Sequence, residues 1–471
     1  MTDTPFSKNT ALSKTSPEAL AYCRAFPGSV DARLHAALLL ESGGDQAGAL
    51  EEAAQACLLE EPGAVAYRVY GTLLLRSGDF ARAEVLLAAC LDLVPDDFDA
   101  LVGLSSLLYR RGERAEARAV LEECITHHPF IAPPSGAGDK PGLLRVLGYA
   151  DSAFHIVDAS GGGYGSAVHG GHFSPDALID AGAWNCTILN VLDQNTRALT
   201  LPPRTDIVLN TISDPDRERS TLLELALFLD RHPQVPVINP PQRVLQTTRE
   251  RNAARLSSIP GLRIARTERL EWRNGDPLDA MAEVQGLGFR FPVILRKTGS
   301  QTGDDTTLAS SPQDMHRYFA RGNGAAHYAI QYHDMRRPDG LYQKTRVFFI
   351  NGRMYPVAHL YHDGWSVHSG DRYSVMIGQD WTQQAERAFL DDPFGVLGPD
   401  ACEVLSRVSE VVGLDYFGID FTIDPDGHVF IFEANATMRH NFDHAHAFPY
   451  TRPTLQQISV AFQTMVQERC T

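Results

Sequence analysis

Two carboxylates and an amide stand out within GLDYFGIDFTIDPDGHVFIFEANATM, residues 413–438: Asp420, Glu433 and Asn435. Asp426-Gly427 is a hairpin turn signal between two strand-forming runs. Pairing about that turn sets Asp420 directly across from Glu433. Asn435 follows two residues on, on the same face, while Phe430, Phe432 and Ala434 form the other face. Facing carboxylates repel in an antiparallel pair. A bound cation reverses that sign. Two carboxylates and an amide oxygen are hard ligands of the kind magnesium takes while keeping positions for phosphate and water. An exposed acidic pair on a surface hairpin is the competing reading, and the apolar flanks speak against it.

Cations occur in two further segments. In FRFPVILRKTGSQTGDDTTL, 289–308, Phe291, Val293, Leu295 and Lys297 share one strand face by alternation. Lys297 then ends that face beside a loop holding Gly299 and Gly303. Such a loop lets backbone N–H groups approach an oligophosphate while the ammonium neutralises it; a solvated loop lysine has the same signature. In KTRVFFINGRMYPVAHLY, 344–361, Asn351-Gly352 is a strong two-residue turn. Folding there sets Lys344 opposite His359 and Arg346 opposite Val357, and puts Lys344, Arg346 and His359 on one face. Two fixed cations and an imidazole suit phosphate or carboxylate; a solvated strand face is the alternative. HLYHDGWSVHSGDRY, 359–373, adds His368 and Arg372 as candidate acceptor contacts. His440 and His444 have helical metal-pair spacing, with pocket or surface histidines as the other reading.

Several elements must position these residues. Gly44, Gly78 and Gly112 recur at 34 residues, as do Ala49, Ala83 and Ala117, with Pro62, Pro95 and Pro129 close behind. Each period reads as two amphipathic helices joined at the glycine and stopped at the proline. Cys57, Cys90 and Cys124 share one repeat position and read as small filler at a helix crossing. Residues 129–142 are rich in Pro, Gly and Ala and read as a linker. Strand-like runs follow at Leu143–Leu147, His155–Val157, 206–213 and 235–240, with a helix at 217–230. The Gly-rich stretch 161–171 lacks full G-x-G-x-x-G spacing, so a dinucleotide site and a flexible loop by the active site both stay open.

Bulk properties narrow the class. The 471 residues carry a net charge of −16, which disfavours nucleic acid and acidic membranes as partners. Seven cysteines without a CxxC pair suggest neither a disulfide framework nor a zinc ribbon. No run has the length of a membrane span, and the first twenty residues lack a signal core, so a cytoplasmic protein is expected.

The 34-residue register resembles the tetratricopeptide repeat (TPR), best in residues 64–97. The segments of 145–465, in their order, resemble the ATP-grasp superfamily, most specifically in the D-x12-E-x-N pattern ending in EAN. The expected fold is an all-α repeat domain at 1–131, a linker at 132–142, an α/β domain at 143–242 and an ATP-grasp domain at 243–471. Within the last, the resemblance implies a nucleotide lobe to about 335 and a metal and substrate lobe beyond. It implies ATP and Mg2+ as cofactors. Arg249, Lys297, Thr298, Gly299, Ser300 and Gly303 would hold the phosphates. Gln331, Tyr332 and His333 would form the adenine hinge, with Asp339 or Lys344 at the ribose. Asp420, Glu433 and Asn435 would bind magnesium, and Arg439 lies near the family's substrate region.

The implied chemistry is ligation of a carboxylate to an amine through an acyl phosphate, releasing ADP. That needs positioning and charge neutralisation more than acid–base groups. Arg346 and Lys297 would stabilise the transferring phosphoryl group, while His359, His368, Arg372 and Arg439 would meet substrate. The repeats would recruit a protein or peptide partner. A phosphotransferase of the same fold, or a TPR adaptor with a nucleotide-sensing module, are the alternatives.

Overall fold

The structure is a computed structural model describing residues 21, 25–132, 139–159, 162–272, 275–300, 305–321, 326–436 and 438–470. Part of the expected linker and Gly303 lie outside these residues. The chain divides into two compact units that interleave in sequence. One comprises 1–140, 151–170 and 185–200. The other comprises 141–150, 171–184 and 201–471.

The first unit holds the repeats as three helix pairs. These are α1 (Val30–Ser42) with α2 (Gln46–Cys57), α3 (Gly63–Ser77) with α4 (Phe80–Leu93), and α5 (Phe98–Arg111) with α6 (Arg114–His127). Capping explains the boundaries. The side chains of Ser29, Asp45, Asp79 and Asp97 accept from backbone N–H groups in the first turns. Ala49, Ala83 and Ala117 are buried where the paired helices cross, and Cys90 and Cys124 fill the same layer. Burial of their large neighbours, such as Leu73, Leu87 and Leu121, contributes about 1.5–3 kcal/mol each.

A β-hairpin, Ala153–Asp158 paired with Tyr164–His169, packs against α3 and α5, the first helices of the second and third pairs. Tyr164 meets Phe80 edge-on at 5.1 Å, and His155 lies 4.1 Å from Tyr109. Ser106 and Ser166 are hydrogen-bonded through their hydroxyls at 2.8 Å. Residues 162–169 of the Gly-rich stretch are thus the end of the turn and the second strand of this hairpin, where 164–169 pair across a ladder in place of an open loop.

The second unit begins with parallel strands β1 (Gly142–Gly148), β2 (Ile207–Asn210) and β3 (Val237–Ile238), with α7 (Arg219–Asp230) between the last two. Helix α8 (Arg249–Leu256) leads to β4 (Leu262–Ile264) and β5 (Thr267–Leu270). Strands β6 (Val293–Lys297), β7 (Thr306–Ala309) and β8 (His327–Gln331) join β5 in an antiparallel sheet of order β7-β6-β8-β5. Strands β9 (Tyr342–Ile350), β10 (Arg353–His362), β11 (Tyr416–Ile423) and β12 (Val429–Asn435) form a second sheet of order β10-β9-β11-β12-β4. Helix α9 (Asp380–Asp391) packs on β10.

Both chemistry-bearing hairpins contain bulges that alternation alone does not reveal. Asn351 and Gly352 both take positive φ, as their turn requires. The predicted register holds from there to Val347↔Pro356. A bulge then shifts it by one, so Arg346 faces Ala358 and Thr345 faces His359. His359 is thereby moved off the face of Lys344 and Arg346. It bonds Thr345 Oγ1 at 2.9 Å and stacks on Phe389 at 5.2 Å. In the second hairpin the turn runs from Asp424 to His428, pairing Ile423 with Val429, one residue away from expectation. A bulge between Asp420 and Phe421 shifts the ladder back, and Asp420 does face Glu433. The two departures cancel.

Residues 438–448 hold no helix, being irregular to 442 and turn over 443–447, so His440 and His444 lack helical spacing. His440 is buried and bonds Ser459 Oγ at 3.1 Å, while His444 meets Tyr373.

Gly78 ends α3 at φ 89°, and a Cβ there would lie 2.9 Å from the Tyr164 ring. Gly78→Ala is expected to destabilise the repeat unit by about 1–2 kcal/mol, from left-handed backbone strain plus that clash. Unfolding monitored by circular dichroism checks this; an unchanged midpoint would refute the contact. Burial pushes the imidazole of His359 down to about 4, with the Arg337 charge adding to it, and burial alone does the same to His440. Neutral forms are favoured in the fold, so the unfolded chain binds more protons below its ordinary value near 6.5. Stability is then full above pH 6.5 and lost as pH falls toward 4, by up to about 3 kcal/mol per histidine. Denaturant midpoints between pH 7 and 4 should fall, and His359→Gln should flatten part of the slope.

Candidate functional site

Strands β9, β11 and β12 lie side by side and bring the charged residues together. Arg346 is directly opposite Asp420 and binds it with both arms, Nε to Oδ1 at 2.6 Å and Nη2 to Oδ2 at 2.8 Å. Lys344, two residues earlier on the same face, reaches Asp420 Oδ2 at 3.3 Å. Glu433 accepts from the Arg249 guanidinium and from Asn435 Nδ2, the latter at 2.5 Å. The facing carboxylates are therefore neutralised by the chain's own cations.

The electrostatics follow from this packing. Burial raises the Asp420 carboxyl, but Arg346 and Lys344 outweigh it and hold the group well below the usual range. Burial likewise raises Glu433, and Arg249 and Arg296 more than reverse the effect. Arg249 itself stays firmly protonated, because Glu433 offsets its desolvation.

Arg296 is the site residue that the sequence reading passed over. Val293 and Leu295 face the core of their lobe, and Lys297 continues that face. Arg296 is out of phase with them and lies on the other face, within the fields of Arg249, Glu433 and Asp214. Burial and the Arg249 charge push it down to about 10. The alternation that marked Lys297 as the end of an apolar face already implied that Arg296 points away from that core. Arg296 Nε donates to Ser300 Oγ at 3.1 Å, and Ser300 in turn donates to the Lys297 carbonyl at 2.7 Å. The Thr298 amide and hydroxyl both donate to the Ala326 carbonyl at 3.0 Å. Gly299 takes φ 68°, and a side chain there would strike Arg217.

Arg249 is held by a separate network. Its neighbour Glu250 accepts from Arg269 Nε at 3.1 Å, and Arg269 also grips Asp216. Tyr328 donates its hydroxyl to Asp216 at 2.7 Å. These contacts tie α8 to β5 and β8, so Arg249 projects from a braced helix.

The remaining candidates are dispersed. The Gln331 amide clamps Arg290, accepting from its N–H at 3.1 Å and donating to its carbonyl at 3.0 Å. Its side chain is thus committed within the fold. Tyr332 bonds the Tyr342 hydroxyl at 3.1 Å, and His333 packs on Phe430. Asp339 lies in the turn before β9, bonded to Arg337 and the Leu341 amide. Lys344 is committed to Asp420 rather than to a ribose position. His368 bonds Ser366 at 2.9 Å; burial and the Lys344 charge lower its pKa, and Asp420 opposes them. Arg372 is buried against Glu386, at 2.6 Å, and is not presented to a ligand. Glu386 also accepts from the Tyr450 hydroxyl at 2.8 Å and the His359 amide at 3.1 Å. Arg439 is exposed and paired with Asp443.

The family model described as tetratricopeptide repeat matches residues 74–129. A search of the curated proteins finds no match. Among solved structures, the chain is similar to the VanG D-Ala:D-Ser ligase of Enterococcus faecalis, at 9% identity and TM-score 0.41, over 70% of this chain and 100% of that one. It is similar to a RimK domain protein ATP-grasp from Sphaerobacter thermophilus, at 13% identity and TM-score 0.38, over 69% and 100%. D-cycloserine synthetase DcsG follows at 14% identity and TM-score 0.36, over 67% and 100%. These likenesses are distant. The chain thus combines helix pairs, of which residues 74–129 match the tetratricopeptide repeat family, with a sheet-rich α/β unit that brings Arg249, Lys344 and Arg346 onto Asp420 and Glu433.

Proposed function

We propose that this chain is an ATP- and magnesium-dependent ligase that joins a carboxylate to an amine and releases ADP. One observation carries the reading: three cations pair with two carboxylates that face each other across a ladder, with Arg296 in the field of one of them. Such a cluster is an oligophosphate site with oxygen ligands for a divalent ion built into its floor. Asp420, Glu433 and Asn435 would hold magnesium, and their donor chemistry fits it. When bound, magnesium neutralises charge on the phosphates. Arg249 and Arg296 bind the phosphate oxygens, with the 298–300 backbone beside them; Lys297, on the opposite strand face, is not assigned to them. Arg346 stabilises charge on the transferring phosphoryl group and on the acyl phosphate. The 331–333 backbone is the proposed hinge for the base. His368 is the candidate for substrate contact, with Lys344 and Asp420 among the charges that act on it.

For the repeats, we propose partner recruitment by the surfaces that the 153–169 hairpin leaves uncovered. Among the described residues, no helix is long and apolar enough to cross a membrane.

ATP with magnesium at ~100 times its dissociation constant should stabilise the second unit by about 2.7 kcal/mol. Arg296→Met should weaken nucleotide binding at least about tenfold, the loss of one charge-assisted contact. Glu433→Gln should abolish ADP release. Hydroxylamine added to a panel of carboxylates should trap the acyl phosphate as a hydroxamate. Nucleotide binding without ADP release under any acid and amine would favour the adaptor reading; a phosphate ester in place of hydroxamate would favour phosphotransfer. No stabilisation by nucleotide would sink the ligase assignment.

A further inference from the structure

The proposed metal ligands already have partners, and those partners are the groups that phosphate would claim. Asp420 is held by both arms of Arg346 and by Lys344. Glu433 is held by Arg249 and lies in the field of Arg296. The groups in direct contact are three cations, Arg249, Lys344 and Arg346, on two carboxylates, Asp420 and Glu433. Arg296 acts on Glu433 through its field, and Asp214 acts in turn on Arg296. The cluster is cationic before any ligand arrives.

A divalent cation entering alone would meet this excess positive charge. It would also have to strip three cations from the two carboxylates and leave them without anions in a largely buried site. Unpaired buried charges are costly. A triphosphate meets the opposite situation. Its oxygens pair with the same guanidiniums and ammonium, and in doing so release the carboxylates.

We propose that this site exchanges counter-ions in a fixed sense: it excludes free divalent metal, accepts nucleotide phosphate without metal, and admits the metal only once phosphate has drawn the cations off Asp420 and Glu433. The inference rests on the nucleotide reading given above. It adds that Arg346, Lys344 and Arg249 act as an internal substitute for the metal. Linkage requires the coupling to be mutual, so metal and nucleotide strengthen one another by the same factor.

Manganese is the probe, followed by electron paramagnetic resonance and by calorimetry on the full chain, with β,γ-imido-ATP as a nucleotide that is not turned over. Wild type without nucleotide should bind manganese at least about 100-fold more weakly than with the analogue, after allowance for the complex in solution. The analogue should still bind in the presence of EDTA. Lys344→Met and Arg346→Met each remove a competitor for Asp420, and each should strengthen nucleotide-free manganese binding about tenfold or more. Lys344→Met keeps the bidentate Arg346–Asp420 pair and so guards against loss of the fold. Manganese binding to the free wild-type protein as tight as to the analogue complex would overturn the counter-ion exchange while leaving the nucleotide site in place. So would a Lys344→Met protein with unchanged nucleotide-free manganese affinity. Failure of the analogue to bind with or without manganese would remove the nucleotide reading itself, and this inference with it.

Discussion

Two negative charges face each other on adjacent strands, and the arrangement of the second unit answers that constraint. Asp420 and Glu433 are cross-strand partners in a largely apolar sheet, where like charges repel strongly. Three cations resolve the conflict, from two places in the sequence. Lys344 and Arg346 are two residues apart on the neighbouring strand β9, and Arg249 reaches in from α8. A partly buried ion cluster of this kind is weak evidence for stability, because desolvation offsets much of the attraction. It is better evidence for a site. Charges assembled at such cost, with more positive than negative, suit a highly charged anion.

Supporting interactions carry this arrangement outward. Arg269, Asp216, Glu250 and Tyr328 brace the helix that presents Arg249. Glu386, fully buried, gathers Arg372, Tyr450 and the His359 amide, and so fixes the segment that follows His368. Arg372 and His359 looked like ligand contacts because polar and aromatic residues crowd around them. Both are internal, and their polarity is consumed by Glu386 and Thr345.

In the first unit, the helix pairs follow from capping residues and small residues at the crossings. The 153–169 hairpin occupies the face formed by the first helices of two pairs. It adds Phe154, Tyr164 and His155 to a surface that would otherwise be open, and so satisfies apolar area within the unit.

Local signals were legible without coordinates. The 34-residue period, the glycines with positive φ and the two hairpin turns are properties of a few neighbouring residues, and short-range sterics decide them. The facing of Asp420 and Glu433 was also legible, although through two one-residue shifts that cancel. The tertiary structure decided the rest. A bulge is set by how a strand meets its neighbours, and one of them moved His359 to the opposite face from Arg346. Arg249 and Arg296 converge on Glu433 from two other segments, which no spacing rule encodes. Period-two alternation contained the preference for Arg296 over Lys297, but only the sheet showed which face was core. The sequence by itself determined which residue types and local turns were available; long-range packing determined which charges meet, because charge pairing depends on distance in space and not along the chain.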